Sequence, residues 1–284
     1  MLNIITAVPK VISGKKGIAH ILGRFKIIRH YYSLYSRLQQ SLSDSRKNTY
    51  YKKSTFFSNI TVDFALKSLE KEAVFLGLKL PQEILIEIQE FSKKTFLAQA
   101  DAQDYFYYSD VKNGYLADGR PIASGIAINP SACSAINKII NDPVLREIVE
   151  KYLGYSPKKI RSLLRWSFVL ELPEKIRMEL RQGNLYHYDI GEFNSVYINF
   201  YLSKTDKYSG AHAMIQGSHN NKTLNMLFNS AIQPEDFLFN YYGKEKEIII
   251  EGEEGFGFIQ DPYCYHRAIP PIKDERLLLQ LQFS

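Results

Sequence analysis

The C-terminal stretch Glu275–Ser284 (ERLLLQLQFS) constrains the fold more than any other part of the chain. Read as an extended strand, it places Leu277, Leu279, Leu281 and Phe283 on one face and Arg276, Leu278, Gln280 and Gln282 on the other. A strand with one wholly apolar face needs a helical layer to cover it. The other face carries a guanidinium and two amides. That suits a sheet whose inner side lines a polar interior.

The rest of the chain supplies both layers. Apolar residues step by threes and fours from Ile18 to Leu42, which predicts a helix whose stripe includes Leu22, Phe25, Ile28, Tyr32, Tyr35 and Leu38. Residues 43–60 show no period and read as a linker. Helices are expected over Thr61–Lys71 and again after Pro81, with Ile84, Leu85, Ile88 and Phe91 buried. A third runs from Asp142 to Leu153, with Asp142 as N-cap, Pro143 first in the helix and Gly154 as the stop. The stretch 101–130 is expected to be irregular. Strands are expected at Leu163–Glu171, Ser195–Leu202, Glu247–Glu251, Gly255–Gln260 and Arg276–Phe283. Helices followed by strands predict an α+β protein, mainly β, with a sandwich or barrel in its second half.

Charge divides the chain unevenly. Residues 1–55 hold eleven Lys or Arg against the single acid Asp44, a net +10, so the overall +6 leaves −4 for residues 56–284. We therefore treat 1–55 as a basic amphipathic helical segment with its linker, and 56–284 as the catalytic body. A basic amphipathic helix can lie on an anionic membrane surface. It can equally dock on the body or on a second copy of the chain. Both readings of residues 15–42, and a homo-oligomer, stay open. Nucleic acid is not expected as a partner, because the body is slightly acidic and carries no stacking or groove-reading module.

The two cysteines, Cys133 and Cys264, form no CxxC pair, so a zinc ribbon is excluded and a reducing, cytoplasmic setting is expected. No run of eighteen apolar residues is present, and the opening MLNIITAVPKVISGKK does not read as a signal peptide. The expected location is the cytoplasm, with the inner face of a membrane as the alternative.

Chemistry concentrates at Tyr186-His187-Tyr188-Asp189. On a strand His187 and Asp189 project to one side, their Cα atoms roughly 6–7 Å apart, and can converge on one metal ion. Alone the pattern is weak, since a His two residues before an acid arises easily by chance. A distant His would complete a facial triad with open positions for a bidentate co-substrate and O2. His266, in Cys264-Tyr265-His266, follows an apolar strand and is the candidate. Arg276 comes ten residues later. A buried guanidinium there requires an anion, which a dicarboxylate would supply. The bland alternative is a surface ion pair with Asp274 or Glu275.

Four segments together resemble the phytanoyl-CoA dioxygenase family of Fe(II)/2-oxoglutarate oxygenases, over about residues 60–284. They are NDPVLREIVEKYLGYSP, YHYD, SGAHAMIQGSH and YHRAIPPIKDER, in the family's order and spacing. The resemblance implies a double-stranded β-helix (a jelly roll, cupin-like) with helices on one sheet. It implies Fe(II) held by His187, Asp189 and His266, and 2-oxoglutarate held at its far carboxylate by Arg276. It places Asn199 or Tyr197, on the strand VYINFYL, at the other end of the co-substrate. The implied activity is O2-dependent hydroxylation of an unactivated C–H bond. The substrate would be small or amphiphilic; the basic N-terminus suits a bacterial cell-surface lipid or sugar, such as a lipopolysaccharide core sugar. Two departures stand out. Gln216 replaces the family's usual Pro. His212 replaces an apolar residue, either lining the substrate pocket or sitting as a satisfied buried histidine. His219 reads as a turn residue. The rival is a non-catalytic or 2-oxoglutarate-independent cupin-like metal protein, from which Arg276 distinguishes this chain.

Overall fold

The computed structural model describes residues 17, 21–42, 56–99, 104–173, 175–176 and 185–284. Two antiparallel sheets face each other. The larger runs, edge to edge, through β1 (Val74–Lys79), β11 (Phe256–Gln260), β7 (Val196–Tyr201), β13 (Arg276–Phe283), β5 (Ile160–Ser167), β4 (Ser124–Ala127), β2 (Leu97–Ala98) and β3 (Tyr105–Phe106). The smaller runs through β10 (Glu247–Ile250), β8 (His212–Ile215), β12 (His266–Ala268), β6 (Tyr186–His187) and β9 (Ile232–Gln233). This is the jelly-roll arrangement expected from the sequence. The sheets do not close into a barrel.

β13 behaves as its alternation requires. Leu277, Leu279, Leu281 and Phe283 enter the main core with Leu69 of α2 (Val62–Glu72), Ile84 and Ile88 of α3 (Gln82–Lys94), Ile136 of α4 (Ser134–Ile140) and Ile148 of α5 (Pro143–Leu153). The helices therefore cover the outer face of the larger sheet. Two short helices, α6 (Leu224–Phe228) and α7 (Glu235–Tyr242), add cover to the outer face of the smaller sheet through Met226 and Leu238. Between the sheets, Tyr201, Met214, Phe258 and Leu278 form a separate small apolar cluster.

α5 is capped as predicted. The Asp142 carboxylate accepts from the Val144 and Leu145 N–H groups at 3.0 and 3.3 Å, and Gly154 ends the helix at φ +79°. The first strand expected from the sequence lies earlier than Leu163–Glu171, at Ile160–Ser167, because its partner β13 reaches back to Ile160 through Phe283. The stretch read as irregular holds β3 and β4, strands too short to show a period. Of the linker reading, residues 43–55 lie outside those described, while Phe57 is buried and stacks on Phe200.

The helix predicted over Ile18–Leu42 is interrupted: Ile21 and Leu22 are helical, a turn follows at 23–25, and α1 (Lys26–Leu42) then docks on the body through polar groups. Its buried residues are Arg29 and Ser36. The Arg29 guanidinium lies 3.8 Å from the Asp261 carboxylate and 3.8 Å above the Tyr263 ring. Asn194 donates to Ser33 Oγ at 2.7 Å, and Gln40 both donates to the Ser156 carbonyl and accepts its N–H. Tyr32 adds a stacked contact with Phe193. Burial pushes the Asp261 carboxyl upward, but Arg29, then His219, the Tyr152 hydroxyl and the Tyr263 N–H outweigh it and hold the group below its ordinary range.

Two stability measurements check these contacts. Asp142→Ala should lower the free energy of unfolding in urea by about 1 kcal/mol, the usual worth of an N-cap. Asp261 has a folded pKa below its unfolded value of about 3.9, so its contribution is complete above about pH 4 and is lost as pH falls through the folded value. Arg29→Met removes the main opposing charge. Unfolding should then cost about 3 kcal/mol less at neutral pH, and the acid-unfolding midpoint followed by circular dichroism should move to higher pH.

Candidate metal centre and anion pocket

β12 lies between β8 and β6, and its register sets His266 directly opposite His187. The extended chain continues past β6. Tyr186, Tyr188 and Ile190 point outward into the cluster under α6 and α7, so His187 and Asp189 point inward. The Asp189 N–H donates to the Pro262 carbonyl at 2.9 Å, which ties this strand to the loop leading to His266.

Ligand atoms of His187, Asp189 and His266 all lie within 4.8 Å of one another. Nε2 of each histidine is 3.7 Å from an Asp189 oxygen, Oδ1 for His187 and Oδ2 for His266. Both rings are set the same way. His187 Nδ1 faces the Leu185 carbonyl at 3.1 Å, and His266 Nδ1 faces the Cys264 carbonyl at 2.8 Å. A carbonyl only accepts, so each Nδ1 carries the hydrogen and each Nε2 turns its lone pair toward Asp189. Burial pushes His266 down to about 4, against the pull of Asp189. A neutral imidazole is the form that binds a metal. Two imidazoles and one carboxylate on one side fit a divalent iron site with open positions. Tyr197 lies near Asp189, and burial, with that carboxylate, raises its phenol above the ordinary range.

A turn braces the His266 strand. Residues 215–218 form it, with Gly217 at φ +73° and the Ser218 N–H donating to the Ile215 carbonyl at 3.2 Å. Gln216 takes the position where proline is favoured and uses its own N–H, donating to the Lys246 carbonyl at 2.8 Å. Ser218 Oγ then accepts the Tyr265 N–H at 2.8 Å. Lys222, which the sequence reading passed over, donates from Nζ to the Ser218 and Tyr263 carbonyls and lies over the Tyr188 and Tyr265 rings. Burial drives its amine down to about 7. His219 belongs to this turn, with Nε2 3.2 Å from the Glu70 carbonyl.

Arg276 is 3% exposed. It donates to the Gly210 carbonyl and, at 3.3 Å, to Ser167 Oγ, while its Nε is buried without a partner. No described acid pairs with it. Glu275 instead accepts from the Tyr108 hydroxyl at 2.8 Å, so the surface ion pair does not form. Burial, with Arg165 nearby, lowers the guanidinium to about 10. Arg276, Ser167, Arg165 and His187 line one cavity of about 220 Å³, closed on its other side by Ala268–Pro271. Arg165 is the second residue missed. Its Nε is also buried and unpartnered, and burial lowers its guanidinium below the ordinary range against the pull of Asp189. Its signal was the Leu163-Arg165-Ser167 face of β5, opposite Leu164 and Trp166.

Asn199 and Tyr197 sit farther along the inner face. Asn199 accepts from Gln280 at 2.9 Å and donates to Gln260 at 3.4 Å, in a buried amide ladder that Gln282 extends. Neither residue lines the Arg276 cavity. His212 is buried, stacks on His266 with centroids 5.2 Å apart, and has an unpartnered Nε2. Of its two sequence readings, the satisfied buried histidine therefore does not hold. The strand β8 that carries it aims the ring between the sheets, where the His266 and Phe258 rings meet it.

No protein-family model and no curated protein sequence matches the chain. Solved structures do. EvdO2 from Micromonospora carbonacea var. aurantiaca, complexed with 2-oxoglutarate, aligns over 78% of this chain and 89% of its own, at 15% identity and TM-score 0.50. EctD from S. alaskensis with bound Fe aligns over 79% and 76%, at 13% identity and TM-score 0.50. The same protein with 2-oxoglutarate and 5-hydroxyectoine aligns over 79% and 76%, at 11% identity and TM-score 0.51. These likenesses establish the fold. The finer resemblance to phytanoyl-CoA dioxygenases has no family match behind it.

Titration with Co(II), followed by visible absorption, tests the centre. The protein should take up one ion, and Asp189→Ala or His266→Ala should weaken uptake by more than about 100-fold, beyond the 10–100-fold typical of groups that only orient a ligand. Undiminished uptake in both variants would place the metal elsewhere.

Proposed function

We propose that the chain is an Fe(II)- and 2-oxoglutarate-dependent oxygenase that hydroxylates an unactivated C–H bond. The observation that carries this reading is Arg276, a buried guanidinium without an acid partner, in the same cavity wall as His187. A triad alone would suit many metal proteins. The additional buried cation is what a dicarboxylate co-substrate needs. The presence of 2-oxoglutarate in EvdO2 and EctD, proteins of this fold, supports the same reading.

Iron in the triad would supply O2 activation, with 2-oxoglutarate converted to succinate and CO2 and one oxygen atom inserted into the substrate. The chain's own residues prepare the site. The Leu185 and Cys264 carbonyls hold the two imidazoles in the ligating tautomer, and Tyr197 steadies the Asp189 carboxylate. Arg276 binds the far carboxylate of the co-substrate. Arg165 adds a second cation for an anionic group of co-substrate or substrate. Together with the basic N-terminal segment, this favours a small or amphiphilic anionic substrate, of which a cell-surface lipid or sugar is one class.

Succinate release from protein supplied with Fe(II) and 2-oxoglutarate is the direct test. It should require O2 and fall by at least about tenfold in Arg276→Ala, since a charge-assisted hydrogen bond is worth about 1.5–3 kcal/mol. Absence of succinate, together with absence of 2-oxoglutarate binding by the metal-loaded protein, would favour a 2-oxoglutarate-independent metal protein of the same fold.

A further inference from the structure

α1 docks with its polar side inward. Its apolar residues Ile27, Tyr31, Leu34, Tyr35, Leu38 and Leu42 are all exposed, from 42% at Leu34 to 87% at Leu42. At 3.6 residues per turn they fall within one arc of about 100°, roughly opposite buried Arg29 and Ser36. This reverses the usual design of a surface helix, whose apolar stripe faces the core. The anchoring described above leaves the stripe no route inward, because Arg29, Ser33 and Gln40 hold the opposite face on the body.

Two further features bear on what covers the stripe. His30 and Arg37, both exposed, flank one edge of the arc, within a segment of net +10, while Lys26 lies farther round and donates from Nζ to Asn220 Oδ1 at 2.8 Å. A second apolar pair, Leu224 and Phe228 one turn apart on α6, is about 70% exposed, at 68% and 72%. It is held beside the start of α1 by the Phe25–Phe228 edge contact at 5.4 Å and by Arg24, which donates to the Leu227 carbonyl at 3.0 Å. The apolar surface is thus built from two separate segments and rimmed by cations.

We infer that this surface seats the protein on an anionic lipid membrane, with α1 lying in the interface between the body and the headgroups. An apolar face that includes tyrosines, with basic residues along one edge, is the pattern of helices that lie in that layer. Charge complementarity decides against a second copy as the occupant: pairing two chains through α1 would bring two segments of +10 together. Basic residues near an anionic bilayer are instead attracted to it. This inference does not depend on the reaction proposed above.

Sedimentation of the full-length protein with phospholipid vesicles tests it. The protein should partition into phosphatidylcholine vesicles containing phosphatidylglycerol, and far less into phosphatidylcholine alone. Arg37→Gln should lower the partition coefficient about fivefold, the equivalent of about 1 kcal/mol per basic residue. Leu34→Glu with Leu38→Glu should lower it by more than about tenfold, with the helix content of the protein unchanged by circular dichroism. Equal binding to both vesicle types, or binding to neither, would overturn the inference. So would a stable dimer in solution that the Leu34→Glu, Leu38→Glu protein no longer forms.

Discussion

The pairing of β12 between β8 and β6 is the constraint on which the site depends. It sets His266 opposite His187. Strand geometry then does the rest. Asp189 lies two residues past His187 and so projects to the same side, and two backbone carbonyls turn both imidazoles toward it. A slip of one residue in β12 would send His266 outward and bring Tyr265 in. The Ser218 hydroxyl and the buried Lys222 amine both hold the 262–266 segment in that register.

The interior between the sheets is polar at a cost. Arg276, Arg165, His212 and Gln260 each bury a nitrogen without a partner. Unpaired buried polar groups are destabilising, so a fold optimised for stability alone would replace them. They cluster on the inner face with the triad, while the outer face of the larger sheet is apolar along β13. The helices stabilise the outer face, and the inner face is free to carry chemistry. That division explains how one strand can hold both Leu279 in the core and Arg276 in the site.

α1 connects the segment of highest charge to the loops that frame the metal centre. Arg29 meets Asp261 and Tyr263, and Tyr263 donates from its hydroxyl to the Glu192 carbonyl at 2.6 Å, just past Asp189. The helix therefore braces both ligand-bearing loops from behind while its apolar side faces away from the body.

Much of this was legible in the sequence because it rests on short-range period. The alternation of β13, the capping of α5 by Asp142 and Gly154, and the shared face of His187 and Asp189 each follow from positions two to four residues apart. Strands of two residues, such as β2 and β3, carry no period and were not legible. Arg165 and Lys222 look like ordinary charged residues until the fold buries them. The α1 stripe was legible as a stripe, but its orientation was not: period reveals that a helix has two faces, and only contacts from distant segments decide which one is inside. The sequence by itself determined the layers, the inward pair His187 and Asp189, and the lone inward arginine of the last strand. His266 was already the sequence candidate for the third member of the group, and strand pairing brings it there; tertiary structure alone decided which cations lie unpaired in the cavity and which side of α1 faces out, because each depends on residues brought together from far apart in the chain.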